Sequence, residues 1–388
     1  MTEQRSVRSM AKATALFCVA FLLGALLPGP MERRQDGIIQ KLHSFIPNTT
    51  TTTNASSLPR IVWLASFPNS GTSYTISLIQ TASGQGIATN NGELHLDPNT
   101  GLSRPISPSG PYWSTTTTTV NVSSPEHFIL TKTHCGGYCQ ACKPGHYIES
   151  PHSFLTHCIE SYGVFFDEST KTAIQRTTYY PRDNVAKTIH LIRNPFDNIV
   201  SRFHLLQNKW TRRNDTEALE KFTADKEGFR AYCKATQHLT NNRLVDPVAL
   251  KLLQDVPCHD EVFRLMQWHN LMFITSDNLL QIKSLVIHYE DYETHLNETL
   301  ETLLEFLALP HTGRDVPVFV PGKTYLDFFT PEERRKMKQG SQWLASPKTW
   351  EHIHHYFDWR NCVFRVWMYN TGKAVSHRRN KVTAWKSQ

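Results

Sequence analysis

The chain has 388 residues, 39% of them hydrophobic and 19% charged, which predicts a globular protein with enough apolar mass for a sizeable core. The formal net charge is +7, and no run of basic residues is longer than Arg334–Lys336. Such a modest, dispersed basic excess argues against a nucleic-acid-binding protein and favours an anionic cofactor or an acidic substrate.

The N-terminal segment is predicted to be a signal anchor. Arg5, Arg8 and Lys12 precede a stretch without charge over residues 13–28. This length is short for a plasma-membrane span but suits a signal peptide or an anchor in a thin early secretory membrane. Because the positive charges precede the span and no small-residue cleavage site follows, we expect an uncleaved anchor with a cytosolic tail over 1–12. A cleaved signal peptide is the alternative.

Residues 29–58 include a Thr/Ser/Asn tract without hydrophobic periodicity, which predicts a flexible stem between the membrane and a catalytic body. The chain contains five Asn-x-Ser/Thr sequons, at Asn48, Asn54, Asn121, Asn214 and Asn297. A single sequon is a weak signal, but five behind a signal segment indicate a glycosylated protein whose body is lumenal.

The stretch Ile61–Gln80 predicts a buried strand, a tight polar loop and a helix. Pro68 ends the strand ladder, and Gly71 permits backbone conformations that other residues resist. In this geometry the loop amides and the helix N-terminus face an anion, and three hydroxyl donors are added by Ser70, Thr72 and Ser73. The Walker phosphate-binding motif is absent, because the stretch lacks its Gly spacing and its Lys. The alternative interpretation is an ordinary strand–turn–helix corner.

After this helix, the polar and Gly/Pro-rich segment Thr81–Glu126 is expected to be an irregular loop region on the acceptor side. Phe128–His134 then predicts a second buried strand that ends in Lys132 and His134. Ligands bind at the carboxyl edge of open parallel sheets, so these two side chains are candidates for chemistry. The alternative is a surface strand end, since single histidines are usually structural.

The cysteines predict an oxidising compartment. Of the eight, Cys18 lies in the anchor, and four crowd one region while three are scattered: Cys135, Cys139, Cys142 and Cys158, then Cys233, Cys258 and Cys362. In a lumen they are expected to form disulfides, whose pairing the sequence leaves open. A structural zinc site is the alternative, because histidines lie nearby, but the spacing is not a standard zinc pattern. We expect the Cys-rich insertion over 135–187 to form a stapled lid or an acceptor-binding flap.

Thr188–Arg202 predicts a second strand-to-helix corner. The strand runs to Arg193, Asn194 can cap the following helix, and Asp197 suits its positive N-terminal dipole. The guanidinium of Arg193 suits a phosphate dianion, and the hydroxyl of Ser201, two turns into the helix, can point to the same side.

The remaining elements are predicted to be scaffold. Leu285–His288 is expected to be a strand that leads into the turn Tyr289–Asp291. The leucines of Leu296–Leu307 recur at helical spacing and predict a helix packed on the core. Thr330 followed by Glu333 predicts a capping box at the start of another helix.

The two corners together resemble the nucleotide-binding motifs of sulfotransferases that use PAPS (3′-phosphoadenosine 5′-phosphosulfate). Pro68–Tyr74 is similar to the 5′-phosphosulfate loop of that family, and Arg193–Ser201 is similar to its 3′-phosphate motif. The resemblance implies an α/β fold with a P-loop-like open parallel β-sheet flanked by helices, in a single catalytic domain over 59–388 behind the anchor. It implies that PAPS is the co-substrate and is bound by Asn69, Ser70, Gly71, Thr72, Ser73, Tyr74, Arg193, Ser201 and Lys323.

The resemblance also implies the chemistry. His134 would be the general base and Lys132 would stabilise the charge on the transferring group, with no metal required. The acceptor would be a hydroxyl of a glycan, a protein tyrosine or a small alcohol, and a lumenal address favours the first two. A membrane-anchored member of this kind is expected to be a single-pass type II protein of the Golgi membrane with a lumenal catalytic domain.

Two departures from the family pattern keep other interpretations open. Asn69 stands where cytosolic members have a Lys, and the C-terminal Arg-Lys-Gly has no clear match, with Lys323 as the nearest candidate. One alternative is a P-loop phosphotransferase that uses ATP and magnesium, against which the missing Walker Lys argues. The other is a non-catalytic membrane glycoprotein that binds a nucleotide, which the two departures would favour.

Overall fold

A computed structural model of the protein describes residues 60–114, 128–136, 149–237, 245–322 and 324–358. Within these ranges no helix combines the length and the apolar character that a membrane span needs. The predicted tail, anchor and stem over residues 1–58 lie outside the described residues, as do Cys139, Cys142, Cys362 and Lys323.

Six strands form the central sheet and two form a hairpin. In chain order the described strands are β1 Ile61–Ser66, β2 Ala88–Thr89, β3 Tyr112–Trp113, β4 Ile129–Thr133, β5 Glu160–Asp167, β6 Thr172–Tyr179, β7 Val185–Ile192 and β8 Lys283–His288. The sheet order is β3-β2-β4-β1-β7-β8, and every neighbouring pair is parallel except β2 with β3. This confirms the predicted open, mostly parallel α/β sheet, and β1 and β7, which precede the two predicted corners, are neighbours.

Helices cover both faces of the sheet. They are α1 Thr72–Ser83, α2 Pro151–Ile159, α3 Pro195–Arg213, α4 Thr216–Lys221, α5 Lys226–Thr236, α6 Pro247–Leu253, α7 His259–Ile274, α8 Asp291–Thr294, α9 Leu296–Leu307, α10 Pro331–Leu344 and α11 Pro347–Ile353. The predicted capping box is present, because the Thr330 hydroxyl accepts from the Glu333 amide and the Glu333 carboxylate accepts from the Thr330 amide. Asn194 caps α3 as predicted, its Oδ1 accepting from the Phe196 amide at 3.0 Å.

The core lies on both faces of β1, whose six residues are all buried. Trp63 faces a cluster that includes α3 and the almost fully buried α7, whereas Val62 and Leu64 face a cluster with α1 and α9. Alternating side chains of one strand therefore enter two apolar layers, which explains why β1 is a continuous apolar run. The predicted leucine stripe of α9 forms part of the second layer.

The Cys-rich insertion contains α2 and the β5–β6 hairpin. A disulfide joins Cys135, just after β4, to Cys158 in the last turn of α2, and a second joins Cys233 in α5 to Cys258 before α7. The prediction of disulfides is thereby confirmed, and the pairing, which the sequence left open, is settled for these four cysteines. The preceding segment, predicted to be irregular, contributes the two short strands β2 and β3 to the sheet.

Candidate functional site

The loop between β1 and α1 has the form of an anion-binding corner. Asn69 and Gly71 both adopt left-handed backbone conformations, with φ of 69° and 96°, and no side chain caps the N-terminus of α1. The first amide groups of α1 therefore lack a side-chain acceptor, and an anion could provide one. A Cβ atom on Gly71 would lie 2.0 Å from the ring of Tyr289, so only glycine fits here.

The conformation of Asn69 offers a reason for the first departure from the family pattern. Asn tolerates the left-handed region better than Lys does, because its short amide can bond locally. Its Nδ2 donates to the backbone oxygen of Ser201 at 3.3 Å, and its own backbone oxygen accepts from Arg193 Nη1 at 2.8 Å. Asn69 thus joins the loop between β1 and α1 to the second corner instead of supplying a cation.

Arg193 directly follows β7 and lies between the two corners. Its guanidinium stacks over the ring of Tyr289 at 4.8 Å from the centroid. The Nε atom is buried and has no hydrogen-bond partner among the described residues. A buried donor of this kind is costly unless a ligand satisfies it, so Arg193 fits a phosphate-binding role.

Asn198, in the first turns of α3, makes contacts that the sequence did not predict. Its Nδ2 donates to the backbone oxygen of Pro68 at 3.0 Å and to Ser70 Oγ at 3.1 Å, and the side chain is fully buried. Its one signal in the sequence was a polar residue on the apolar face of α3. Asn198 and Arg193 together place the two corners in direct contact at the carboxyl edge of the sheet.

Two carboxyl groups accept hydrogen bonds that hold the second corner in place. Glu290 accepts from the Asn194 amide at 2.9 Å and from the Tyr356 hydroxyl at 2.5 Å, and burial raises its pKa. Asp197 accepts from the Tyr325 amide at 2.7 Å, and burial raises its pKa to about 6. These bonds fix the backbone of the corner that carries Arg193.

His134 is held beside the phosphate loop in one tautomer. Its Nδ1 lies 2.7 Å from the backbone oxygen of Ser66, which can only accept, so Nδ1 carries the proton and Nε2 carries the lone pair. Burial, followed by the positive charge of Lys132, lowers the pKa of His134 to about 3. The Ser66 hydroxyl in turn lies 2.6 Å from the hydroxyl of Thr72, the first residue of α1. A neutral imidazole is therefore joined to the anion-binding corner by two hydrogen bonds.

Lys132 is a partly buried cation in β4. Among the described residues its ammonium has no hydrogen-bond or ion-pair partner, and burial lowers its pKa. It also contributes to lowering the pKa values of His134 and His95. An anion bound at this edge of the sheet would relieve that uncompensated charge.

Glu93 and His95 form a second group that sequence reasoning missed. They follow β2, whose Thr89 is paired with Lys132 of β4, so they lie at the same edge of the sheet. The Oε2 atom of Glu93 is buried without a hydrogen-bond partner among the described residues, and burial raises the pKa of this carboxyl group. Burial lowers the pKa of His95, and the charge of Lys132 lowers it further. The segment had been interpreted as an irregular loop, so its position next to β4 could not be foreseen.

The other predicted binding residues lie around this centre. Tyr74 packs edge-on against Tyr292 and Phe319, and its hydroxyl donates to the backbone oxygen of Pro317 at 3.0 Å. Ser70 and Thr72 are buried, Ser73 is exposed, and Ser201 is partly exposed. Lys323 lies outside the described residues. Its neighbour Gly322 lies beside Arg193, since a Cβ atom there would be 3.1 Å from Nη2.

The described part of the chain contains no group of three His, Cys, Asp or Glu side chains placed to hold a metal ion. Chemistry without a metal therefore stays a prediction from the sequence. Arg193 and Lys132 are two described cations at this edge of the sheet that a bound anion could contact.

Comparison with known proteins gives one family. The model of the sulfotransferase domain family matches residues 59–318, which is more than half of the chain. This span includes the phosphate loop, Lys132, His134 and the corner from Arg193 to Ser201. A search of the curated proteins returns no match.

Proposed function

Since the chain belongs to the sulfotransferase family, we propose that it transfers a sulfuryl group from PAPS to a hydroxyl group of a glycan or protein acceptor in the secretory pathway. The observation that carries this proposal is the contact between the two corners. Arg193 Nη1 donates to the Asn69 oxygen at 2.8 Å, and Asn198 Nδ2 donates to Ser70 Oγ at 3.1 Å. One nucleotide with phosphate groups at both its 3′ and 5′ positions is the ligand that two adjoining anion sites fit.

Each corner has donors suited to one end of this nucleotide. The uncapped amides of α1 and the Ser70 hydroxyl, which accepts from Asn198 and keeps its own proton to donate, would bind the 5′-phosphosulfate. The buried Nε of Arg193, with Ser201, would bind the 3′-phosphate. When bound, PAPS supplies the sulfuryl group and a phosphate as leaving group.

His134 is proposed to remove the proton of the acceptor hydroxyl at Nε2. The bond between Nδ1–H and the Ser66 oxygen fixes the tautomer that this step requires. With a pKa of about 3 the imidazole is neutral but a poor base. An anion bound next to Lys132 would offset one cause of that low pKa and raise the basicity of His134 when the donor is in place. Lys132 would then stabilise the charge that develops on the sulfuryl and leaving oxygens.

Glu93 is the alternative general base. Its carboxylate oxygen Oε2 is buried without a hydrogen-bond partner in the described part of the chain, and its pKa is raised; both are features of catalytic acids and bases. Glu93 lies on the side of Lys132 away from β1. Either base serves the same reaction, so the choice between them affects the mechanism and not the proposed activity.

Two measurements test the function. Calorimetry should detect binding of 3′,5′-adenosine bisphosphate and none of ATP with magnesium. Binding of ATP with magnesium but not of 3′,5′-adenosine bisphosphate would favour the phosphotransferase alternative, against which the missing Walker Lys argues. Radiolabelled sulfate from PAPS should then be transferred to members of a panel of glycans, tyrosine peptides and small alcohols. Binding without transfer to any member would favour the non-catalytic alternative.

We further propose a Golgi location, with an anchor over residues 13–28 and a lumenal, glycosylated body. The uncharged segment behind three basic residues and the five sequons support it. The two disulfides also support it, because disulfides persist in oxidising compartments. Glycosidase treatment of the expressed full chain should lower its apparent mass, and an unchanged mass with a cytosolic distribution would contradict the proposal.

A further inference from the structure

The backbone turns sharply just after His134. Cys135 and Gly136 are both in the left-handed region, with φ of 47° and 75°. A residue with a side chain resists this conformation unless its surroundings hold it there. The disulfide from Cys135 to Cys158 is a covalent link at the strained residue itself, one position from the proposed base.

The other half of the disulfide is firmly anchored. The backbone oxygen of Cys158 accepts three hydrogen bonds: from Asn90 Nδ2 at 2.7 Å, the Tyr180 hydroxyl at 3.0 Å and Thr133 Oγ1 at 3.3 Å. Asn90 follows β2, Tyr180 follows the hairpin, and Thr133 ends β4. All four residues are buried, so the position of Cys158 is set by three separate elements.

Hydrogen bonds to Trp268 and Ser66 also hold His134 in place. The indole Nε1–H of Trp268 donates to the backbone oxygen of His134 at 2.8 Å, and Ser66 accepts from the ring. Neither bond determines the direction in which the chain leaves the residue. That direction is determined by the left-handed turn at Cys135, which the disulfide holds.

From this geometry we propose that the Cys135–Cys158 disulfide positions the general base His134. Cys135 and Cys158 are then positioning residues for catalysis, in addition to stabilising the insertion. The inference rests on the proposed function, because it takes His134 as the base. The disulfide is expected to affect proton removal from the acceptor hydroxyl and to leave nucleotide binding unchanged.

The second disulfide provides a matched control. Cys233–Cys258 closes a separation of 25 residues against 23 for Cys135–Cys158, and Cys258 is also left-handed, with φ of 51°. The two bonds should therefore contribute similarly to stability, since the entropic effect depends on loop length. They differ in that only one adjoins the proposed base.

The test compares Cys135→Ala/Cys158→Ala with Cys233→Ala/Cys258→Ala in the otherwise intact chain. Both pairs should lower Tm. Only the first should lower kcat for acceptor sulfation, by at least about tenfold, because a displacement of about 1 Å at a reacting group can lower the rate by about 100-fold. The Kd of 3′,5′-adenosine bisphosphate should stay within about twofold in both. Equal kcat values in the two pairs would overturn the proposal.

A second measurement is independent of turnover. Nitrogen NMR of His134 should show a protonated Nδ1 and a strongly depressed pKa in the wild type and the control pair, and the pKa should move toward the ordinary histidine value in the first pair. An unchanged His134 signal in the first pair would also overturn the proposal. If that pair does not fold, Cys135→Ala/Cys158→Val restores buried volume without the bond. Absence of sulfate transfer by the wild type would refute the proposed function, whereas the NMR comparison would still test the positioning.

Discussion

His134 and Glu93 are both described side chains at this edge of the sheet that could accept a proton from an acceptor. The Ser66 oxygen fixes the imidazole of His134, and burial lowers its pKa. The carboxyl group of Glu93 has a buried oxygen with no hydrogen-bond partner within the ranges that the structure describes, and burial raises its pKa. Glu93 follows β2 and the His134 ring contacts Ser66 at the end of β1, and β2 and β1 are the two neighbours of the strand that carries Lys132. Their environments move the two pKa values in opposite senses relative to their ordinary values, a pattern found at catalytic sites.

His134→Ala is expected to lower kcat by about 100-fold or more, since a positioned base typically contributes about 10²–10⁴-fold. Binding of 3′,5′-adenosine bisphosphate should stay within about twofold, because the nucleotide contacts come from other residues. Steady-state sulfate transfer and calorimetry measure the two quantities. Glu93→Gln, which keeps the shape of the side chain, is the matched variant. Loss of activity in Glu93→Gln with retention in His134→Ala would move the base to Glu93.

Gly71→Ala should disrupt the phosphate loop. The added Cβ would lie 2.0 Å from the Tyr289 ring at a φ of 96°, so the loop or the ring must move. We expect the Kd of 3′,5′-adenosine bisphosphate to rise by about tenfold or more and the free energy of unfolding to fall by more than the roughly 1–2 kcal/mol of the left-handed backbone alone.

Gly101→Ala is the control for Gly71→Ala, because Gly101 is also left-handed, at φ 67°, but has no atom within 4 Å of an added Cβ. It should show only the backbone effect, with nucleotide affinity unchanged. Calorimetry and urea unfolding of both variants make the comparison. Equal nucleotide affinities in the two variants would show that the contact with Tyr289 does not shape the binding loop.

At the scale of elements, the site depends on how α3 supports the loop before α1. Asn198 of α3 bonds the Pro68 oxygen and the Ser70 hydroxyl, and Arg193 at the end of β7 bonds the Asn69 oxygen. The two corners are consequently linked, and a substitution in α3 should weaken binding at the 5′-phosphate end of the nucleotide.

Asn198→Ala should lower the free energy of unfolding by about 1–3 kcal/mol, the usual effect of leaving buried hydrogen-bonding groups without a partner. It should also weaken nucleotide binding by about tenfold. Asn270→Ala is matched, because Asn270 is equally buried and joins the Leu344 oxygen to the Ser346 amide away from the loop. It should lose similar stability at unchanged affinity. The same Kd for both variants, measured by calorimetry, would contradict the coupling.

The sequence predicted those elements whose signals are local. The Asn194 cap, the Thr330 capping box and the leucine stripe of α9 each depend on residues within a few positions of one another, and all are confirmed. The contacts of Asn198, the placement of Glu93 beside Lys132 and the pairing of Cys135 with Cys158 depend on which strands become neighbours. That information is tertiary, so periodicity and motif spacing could not supply it.

At the scale of the whole molecule, two buried histidines and a partly buried one lie near the sheet and α7. His190 of β7 bonds His269 of α7 at 2.8 Å, and His288 of β8 bonds the Tyr356 hydroxyl at 2.9 Å. Burial lowers all three pKa values, to about 3 for His269 and about 4 for His288. The folded protein thus holds these rings neutral.

These histidines should make the protein sensitive to acid. In the unfolded chain they titrate near pH 6.5, above their folded pKa values, so the unfolded state binds more protons as the pH falls below about 6.5. The free energy of unfolding should decrease from there toward pH 4, by at most about 1.4 kcal/mol per pH unit for each histidine. Urea unfolding at pH 7, 6 and 5 measures this slope. His269→Gln should reduce it, and an equal slope in that variant would contradict the assignment.

The Cys135–Cys158 disulfide closes a ring over the first part of the Cys-rich insertion. The Cα atoms of Cys135 and Cys158 are 4.0 Å apart, and a covalent bond closes the excursion between them. Replacing or lengthening the chain inside such a ring leaves the positions of the two cysteines unchanged. The entropic cost of closing the loop grows only with the logarithm of the number of residues in it. If this segment contacts the acceptor, as the sequence predicts, a graft made between the two sulfur atoms would change the acceptor while the donor-binding corners stay constant.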